Sequence, residues 1–341
     1  MVRTFSLSLR VSALALLLCL GVSTYTYALT ITPIRYEISG DPGETITEKM
    51  RLINETKDSQ TFYASFANFE ARGDTGSPTF VDAREGLGTW ITTEQASINL
   101  APGIQKEIEF KINIPKDAEP GGHFAADFWG TSPGRGSGQL TIGTKTGMLV
   151  LLSVNGELRE QAGLVDFDLH NSKNFYKQLP VGFQYRFSNQ GNDRVKPAGS
   201  IIIRSILGWT VKKVDANPFD GNVLPGTTRK FNPEWSKRDS VDQRDQKQDR
   251  NEKYSFKQEV KDEWHNFAVG IYRAKVVASF GAANQTVKSN AVYFIVFPWE
   301  LILIILIIAI PIYFTLRILL RRYNRSVIRK AQKSFSNDQG I

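Results

Sequence analysis

Cysteine is the scarcest residue in this chain: Cys19 is the only one among 341 residues. It falls in a segment expected to be removed, so no disulfide staples a domain, and hydrophobic cores must supply the stability. Thiolate nucleophiles and cysteine metal sites are excluded with it. Histidine is nearly as rare, at three: His123, His170 and His265. None has a second histidine or a cysteine at metal-ligand spacing, and no HExxH run occurs. His123, at the start of an expected strand, reads as a structural residue. GxSxG is also missing, and Gly136-Ser137-Gly138 belongs to a glycine-rich loop, not a strand–helix elbow. The run from Gly138 to Thr146 approaches a phosphate loop, but Thr144 separates Gly143 from Lys145 and no helix is expected after it. No catalytic, metal or cofactor residue is therefore expected, and the chain reads as a non-enzyme. A carbohydrate-active enzyme built on carboxylates that the sequence does not place is the remaining enzymatic alternative.

Net charge is a second absence, once it is divided along the chain. The whole sequence carries +8, from 42 Lys+Arg against 34 Asp+Glu. Arg3 and Arg10 precede residue 29, and seven basic residues with one acid (Asp338) follow Leu316, so 33 of each sign remain between. The excess is a matter of membrane topology, and the basic pI gives no support to nucleic-acid binding.

The long hydrophobic run explains that excess. Leu301 to Leu316 has no charge, and the stretch to Leu320 would make a helix of about 30 Å, the thickness of a bilayer's hydrocarbon core. Trp299 and Tyr323 bracket it at the expected lipid–water boundary, Arg317 is near enough to the end to snorkel, and Pro311 suggests a bend. A transmembrane helix is expected over 298–320, with Trp299, Leu301, Pro311, Leu316, Arg317, Arg321 and Arg322 as anchor residues. The basic tail, 321–341, stays cytoplasmic by the positive-inside rule. At the other end, Arg3 and Arg10, an apolar run and Thr26-Tyr27-Ala28 predict a secretory signal peptide over 1–28, with a retained signal anchor as the alternative because Thr26 and Tyr27 make an imperfect cleavage site. Together these predict a cell-membrane protein with a single pass and extracytoplasmic N-terminal domains.

Between the two apolar segments the chain reads as all-β. Ile108, Phe110, Ile112 and Ile114 alternate with Glu107, Glu109, Lys111 and Asn113, the period of a strand with one face in a core. Leu29–Ile38 predicts a strand whose Pro33 suits an edge or a strand switch. Further strands are expected over 123–129, 146–154, 163–170, 181–189, 200–211, 267–280 and 286–297, with Gly, Pro and Asn turns between them. Leu100-Ala101-Pro102-Gly103 is echoed by Val223-Leu224-Pro225-Gly226, and the run from Glu119 to Ala126 by that from Val269 to Ala274. The expected fold is two tandem immunoglobulin-like β-sandwiches, 29–156 and 157–297, followed by the single transmembrane α-helix. A charged insertion, 236–262, reads as a solvated loop or short helix in the second sandwich. The last strand runs almost directly into Pro298, so no long stalk is expected.

Short motifs add little. Arg72-Gly73-Asp74 is the tripeptide integrins recognise, in a stretch that also simply makes a turn. Leu224-Pro225-Gly226-Thr227 has Thr228 where a sortase signal needs glycine. Asn54-Glu55-Thr56 and Asn284-Gln285-Thr286 are glycosylation sequons that matter only in a glycosylating host.

A larger pattern is more informative. An ITP-x-R-Y-E-I strand (Ile31–Ile38), a DPGET turn (Asp41–Thr45), a strand ending at Asn54 and an IP-x(4)-PGG-x-F segment (Ile114–Phe124) precede a second β-domain, one span and a basic tail. The order resembles the bacterial WxL-interacting proteins, best over residues 29–155. The N-terminal region also resembles the first domain of periplasmic pilus chaperones. The first resemblance implies binding to peptidoglycan or to a WxL-type surface protein, with no residue assigned to it. The function expected is display of two sandwiches to cell-wall polymer or another surface protein. The alternative is a subunit of a signalling or assembly complex acting through the tail.

Overall fold

The computed structural model describes residues 29–132, 144–237 and 256–338. The expected signal peptide, residues 133–138 of the glycine-rich loop and most of the charged insertion lie outside them. The described residues form two compact units, one from 29–71 and 78–159, the other from 72–77 and 160–338. The turn carrying Arg72-Gly73-Asp74 thus groups with the second unit.

The first unit is a two-sheet sandwich. One sheet runs β1 (Leu29–Thr32), β3 (Thr45–Asn54), β8 (Gln105–Asn113), β6 (Ile91–Thr93). The other runs β2 (Arg35–Gly40), β10 (Lys145–Val154), β9 (Gly121–Gly130), β4 (Gln60–Arg72), β5 (Ser77–Asp82), with β7 (Ser97–Leu100) also on β4. A short helix, α1 (Leu87–Trp90), precedes β6. The alternating residues of β8 point inward as the period of two requires, with Phe110 and Ile112 in a core shared with Leu52, Phe62, Trp129 and Val150.

The predicted strand Leu29–Ile38 is two strands in two sheets. β1 pairs antiparallel with β3, while β2 pairs parallel with β10. Pro33, with no N–H to give a ladder, sits at the crossing, which is the strand switch its position allowed.

The second unit repeats this topology. β11 (Ala162–Leu169), β13 (Val181–Asn189) and β16 (Thr228–Phe231) form one sheet, with β17 (Glu234–Trp235) also on β13. β12 (Phe175–Tyr176), β20 (Val292–Val296), β18 (Gly270–Phe280), β14 (Ala198–Ser205) and β15 (Thr210–Asp215) form the other, with β19 (Gln285–Lys288) on β18. Again the first strand pairs antiparallel across one sheet, and the chain switches to lie parallel to the last strand, Phe175 opposite Ile295. The core holds Phe183, Tyr185, Phe187, Ile203, Val276 and Phe294. The stretch read as one strand over 200–211 is instead the hairpin β14–β15, and 286–297 divides into β19 and β20. α2 (Phe256–His265) begins within the charged insertion and runs three residues past its expected end.

The weak internal echoes in sequence are structural equivalents. Asn54 ends β3 fully buried; its amide donates to the carbonyls of Asp58 and Leu100, and its carbonyl oxygen accepts from the Thr56 N–H. Asn189 ends β13 in the same way, donating to Asp193 and Val223 and accepting from Gly191. Leu100 and Val223 are the residues just before the paired x-Pro-Gly turns. In those turns Gly103 and Gly226 take nearly the same left-handed backbone, φ 70° and 69°, which favours glycine. Replacing either asparagine by alanine leaves buried carbonyls unsatisfied and is expected to cost its own sandwich about 2–3 kcal/mol, read from urea midpoints.

The last element, α3, runs without a break from Trp299 to Asp338. Its 40 residues make a helix of roughly 60 Å, so the basic segment expected as a separate tail continues the same helix. Residues Trp299–Ile328 are long and apolar enough to cross a membrane. Pro311 lies inside the helix, and the Thr315 hydroxyl donates to its carbonyl at 2.8 Å.

Candidate functional site at the junction with the apolar helix

The most distinctive chemistry in the second unit lies where β20 becomes α3. Only Phe297 and Pro298 separate them. The Phe297 N–H donates to the Tyr176 carbonyl, which keeps the chain paired with β12 to the last residue before the proline. Pro298 suits the helix start, where its missing N–H is no loss, and its carbonyl accepts from Ile302.

Two carboxylates are buried at that start. Glu300, 2% exposed, is in the first turn, and Lys177 pairs with it at 2.5 Å while lying 5.3 Å from the Trp299 ring centroid. Glu263, 1% exposed, comes from α2 and accepts the Leu301 N–H at 2.8 Å. The first N–H groups of any helix lack internal partners, and a carboxylate is the favoured acceptor because the helix dipole is positive there. The cap here comes from residue 263, far from the helix in sequence. Leu301 is buried with it. The loop after α2 is fixed in turn, since the Leu179 N–H donates to the Asn266 carbonyl. The first turn of α3 is therefore part of the second sandwich.

The expected anchor residues divide accordingly. Leu301 is taken up by the sandwich, while Trp299, Leu316, Arg317, Arg321 and Arg322 are exposed along the helix and Pro311 lies within it. Neither Glu263 nor Glu300 stands out in the sequence, because Glu263 sits in a charged run and Glu300 reads as an interruption at the edge of the apolar one.

In the first unit the unforeseen residue is Asp127. It lies on β9 between Ala125 and Trp129, both of which face the core, opposite Phe66 on β4 and Met148 on β10. It is fully buried, and neither of its oxygens makes a hydrogen bond; nor does the Trp129 indole N–H. Burial pushes its carboxyl up to about 8, and the nearby indole N–H offsets part of the rise without reaching hydrogen-bond geometry. Its neutral form is favoured at neutral pH.

Each histidine has its own local surroundings. His123 contacts the Glu119 carbonyl at 2.9 Å and the Trp90 ring, His170 sits in a short 3-10 turn, and His265 contacts the Lys261 carbonyl. Among the described residues no three His, Cys, Asp or Glu side chains gather as a metal cluster.

No family model matches the chain, and no curated protein matches it. Solved structures of similar architecture include a class 5 fimbriae chaperone, CfaA, at 13% identity over 80% of this chain and 100% of that one, with a TM-score of 0.36. The E. coli chaperone DraB is 9% identical over 78% of this chain and 97% of its own, TM-score 0.32. The CsuC–CsuE chaperone–adhesion subunit complex of Acinetobacter baumannii matches at 12% identity over 60% and 89%, TM-score 0.32. These likenesses concern the immunoglobulin-like fold.

Proposed function

We propose that this chain is a single-pass membrane protein of the cell surface, without catalytic activity. It holds two immunoglobulin-like sandwiches outside the membrane and binds cell-wall polymer or another surface protein through them. The observation that carries the reading is the junction: the first turn of the apolar helix is capped by the buried Glu263 of the second unit, and its own buried Glu300 is paired with Lys177. A domain locked to its anchor suits display at a fixed place better than free movement on a stalk. The resemblance to WxL-interacting proteins supplies the ligand class. Peptidoglycan and a WxL-type surface protein are both chemically reasonable, because sandwich domains bind through loops and sheet edges.

The test uses the full chain in nanodiscs, incubated with purified cell walls and, separately, with a purified WxL-type protein. Saturable retention by one of them is expected, and retention by neither would remove the reading. A second reading, a subunit acting through a cytoplasmic partner, draws on the unbroken helix to Asp338, which would project Arg321, Arg322 and Arg325 beyond a bilayer. It predicts loss of function when those arginines become glutamine with insertion unchanged.

A further inference from the structure

The end of the second sandwich from which α3 departs carries apolar side chains that the core does not use. β14 is antiparallel to β18, and β18 to β20, so the β14–β15 turn lies at the same end as the start of α3. The Ile206 N–H donates to the Ile271 carbonyl and ties that turn to the beginning of β18. At the turn Leu207 and Trp209 are 75% and 59% exposed. Trp264, 65% exposed, follows the capping Glu263 on α2, and Phe297 and Trp299 flank Pro298. Three separate segments thus bring large apolar groups to one end, around the helix that leaves it.

The outer face of the adjoining sheet is ordered in the same sense. Ile206, Ile271, Ile295 and Phe175 occupy successive strands as one exposed row. Arg204, Arg273 and Tyr293 form the next row away from the helix, about 6–7 Å further along the strands. Apolar groups first, then guanidinium and phenol groups, is the order in which a protein wall meets acyl chains and phosphates. An exposed apolar surface of this kind marks an interface. Its continuity with the apolar helix and the cationic row above it point to the lipid itself as the occupant.

We infer that this end of the second sandwich rests on the bilayer as an anionic-lipid-binding surface. Leu207, Trp209, Trp264 and Phe297 enter the headgroup region, and Arg204 and Arg273 face lipid phosphates. The inference rests on the reading that α3 spans the membrane. The arginines then add an electrostatic term that salt weakens.

The full chain carrying Cys19→Ser offers no other cysteine, so single-cysteine variants labelled with an environment-sensitive fluorophore can be reconstituted in vesicles. Leu207→Cys reports the proposed surface, Ala283→Cys the opposite end of the sandwich, and Ile307→Cys the helix. In phosphatidylcholine vesicles containing phosphatidylglycerol, the label at 207 is expected to shift to the blue and brighten severalfold. Shallow brominated lipid should quench it, while the label at 283 stays solvent-like. Arg204→Gln with Arg273→Gln should reduce the signal at 207 to that seen in phosphatidylcholine alone. A quenched label at 307 with a solvent-like label at 207 would overturn the inference and leave the membrane reading intact. An unquenched label at 307 would remove both. Shielding at 207 that rises with protein concentration in micelles would assign the surface to a second copy instead, and so would also overturn it.

Discussion

Replacing Asp127 by asparagine is expected to make the first sandwich more stable, by an amount that grows with pH. The carboxyl is buried between Ala125 and Trp129 without a hydrogen bond, and its folded pKa is about 8. In the unfolded chain the same group ionises near 4. Below pH 4 both states hold the proton and the site costs little. Between pH 4 and 8 the unfolded state gives up its proton while the folded state keeps it, so stability falls by about 1.4 kcal/mol per pH unit. Above pH 8 the penalty is complete. Asparagine is close in shape and has no proton to lose. The variant should therefore match the wild type near pH 4 and exceed it by roughly 5–6 kcal/mol near pH 9. Urea unfolding followed across that range checks it. Parallel pH profiles for the two proteins would show that the carboxyl is solvated after all.

Lys177→Met is expected to loosen the start of the apolar helix. The ammonium is the cation paired with Glu300, whose side chain is only 3% exposed. Removing one member of such a pair leaves a buried charge uncompensated, which costs about 3–5 kcal/mol when both members are buried. The Lys177 side chain is 46% exposed, so water softens the loss, and about 2–3 kcal/mol is expected here. Changing both residues, Lys177→Met with Glu300→Leu, should recover most of it, because an apolar pair of similar size carries no desolvation penalty. Amide exchange at Leu301 and Ile302 in detergent micelles is the readout. Faster exchange in the single variant and near-native exchange in the double one are the expected pair of results. Equal protection in all three proteins would mean that the Glu263 cap alone holds the turn.

The residues involved show why some of this was legible and some not. The alternation of Ile108, Phe110, Ile112 and Ile114 is a local pattern with a single solution, and β8 follows it. In β9 the run from Ala125 to Gly130 is buried on both faces, so no alternation marks which side Asp127 takes. An acid in an apolar stretch then reads as a surface residue. Pro33 could be recognised as a break in pairing, yet the sheet that β2 would join depends on β10, more than a hundred residues later. The charge pattern suggests an end at Leu320, but arginine and lysine are good helix formers and α3 continues through them.

By itself the sequence determined what rests on local spacing and composition. That includes the all-β character of the two sandwiches, the paired x-Pro-Gly turns, the helix long and apolar enough to cross a bilayer, and the division of charge around it. Each of these is set by residues within one element, where the period of the backbone and the cost of burying charge leave little choice. The tertiary structure alone decided the rest: which sheet each half of the first strand joins, that Asp127 is inside, and that Glu263 caps a helix beginning at residue 299. Those outcomes depend on groups brought together from distant parts of the chain. Their energy is that of desolvation, which no short window of sequence contains.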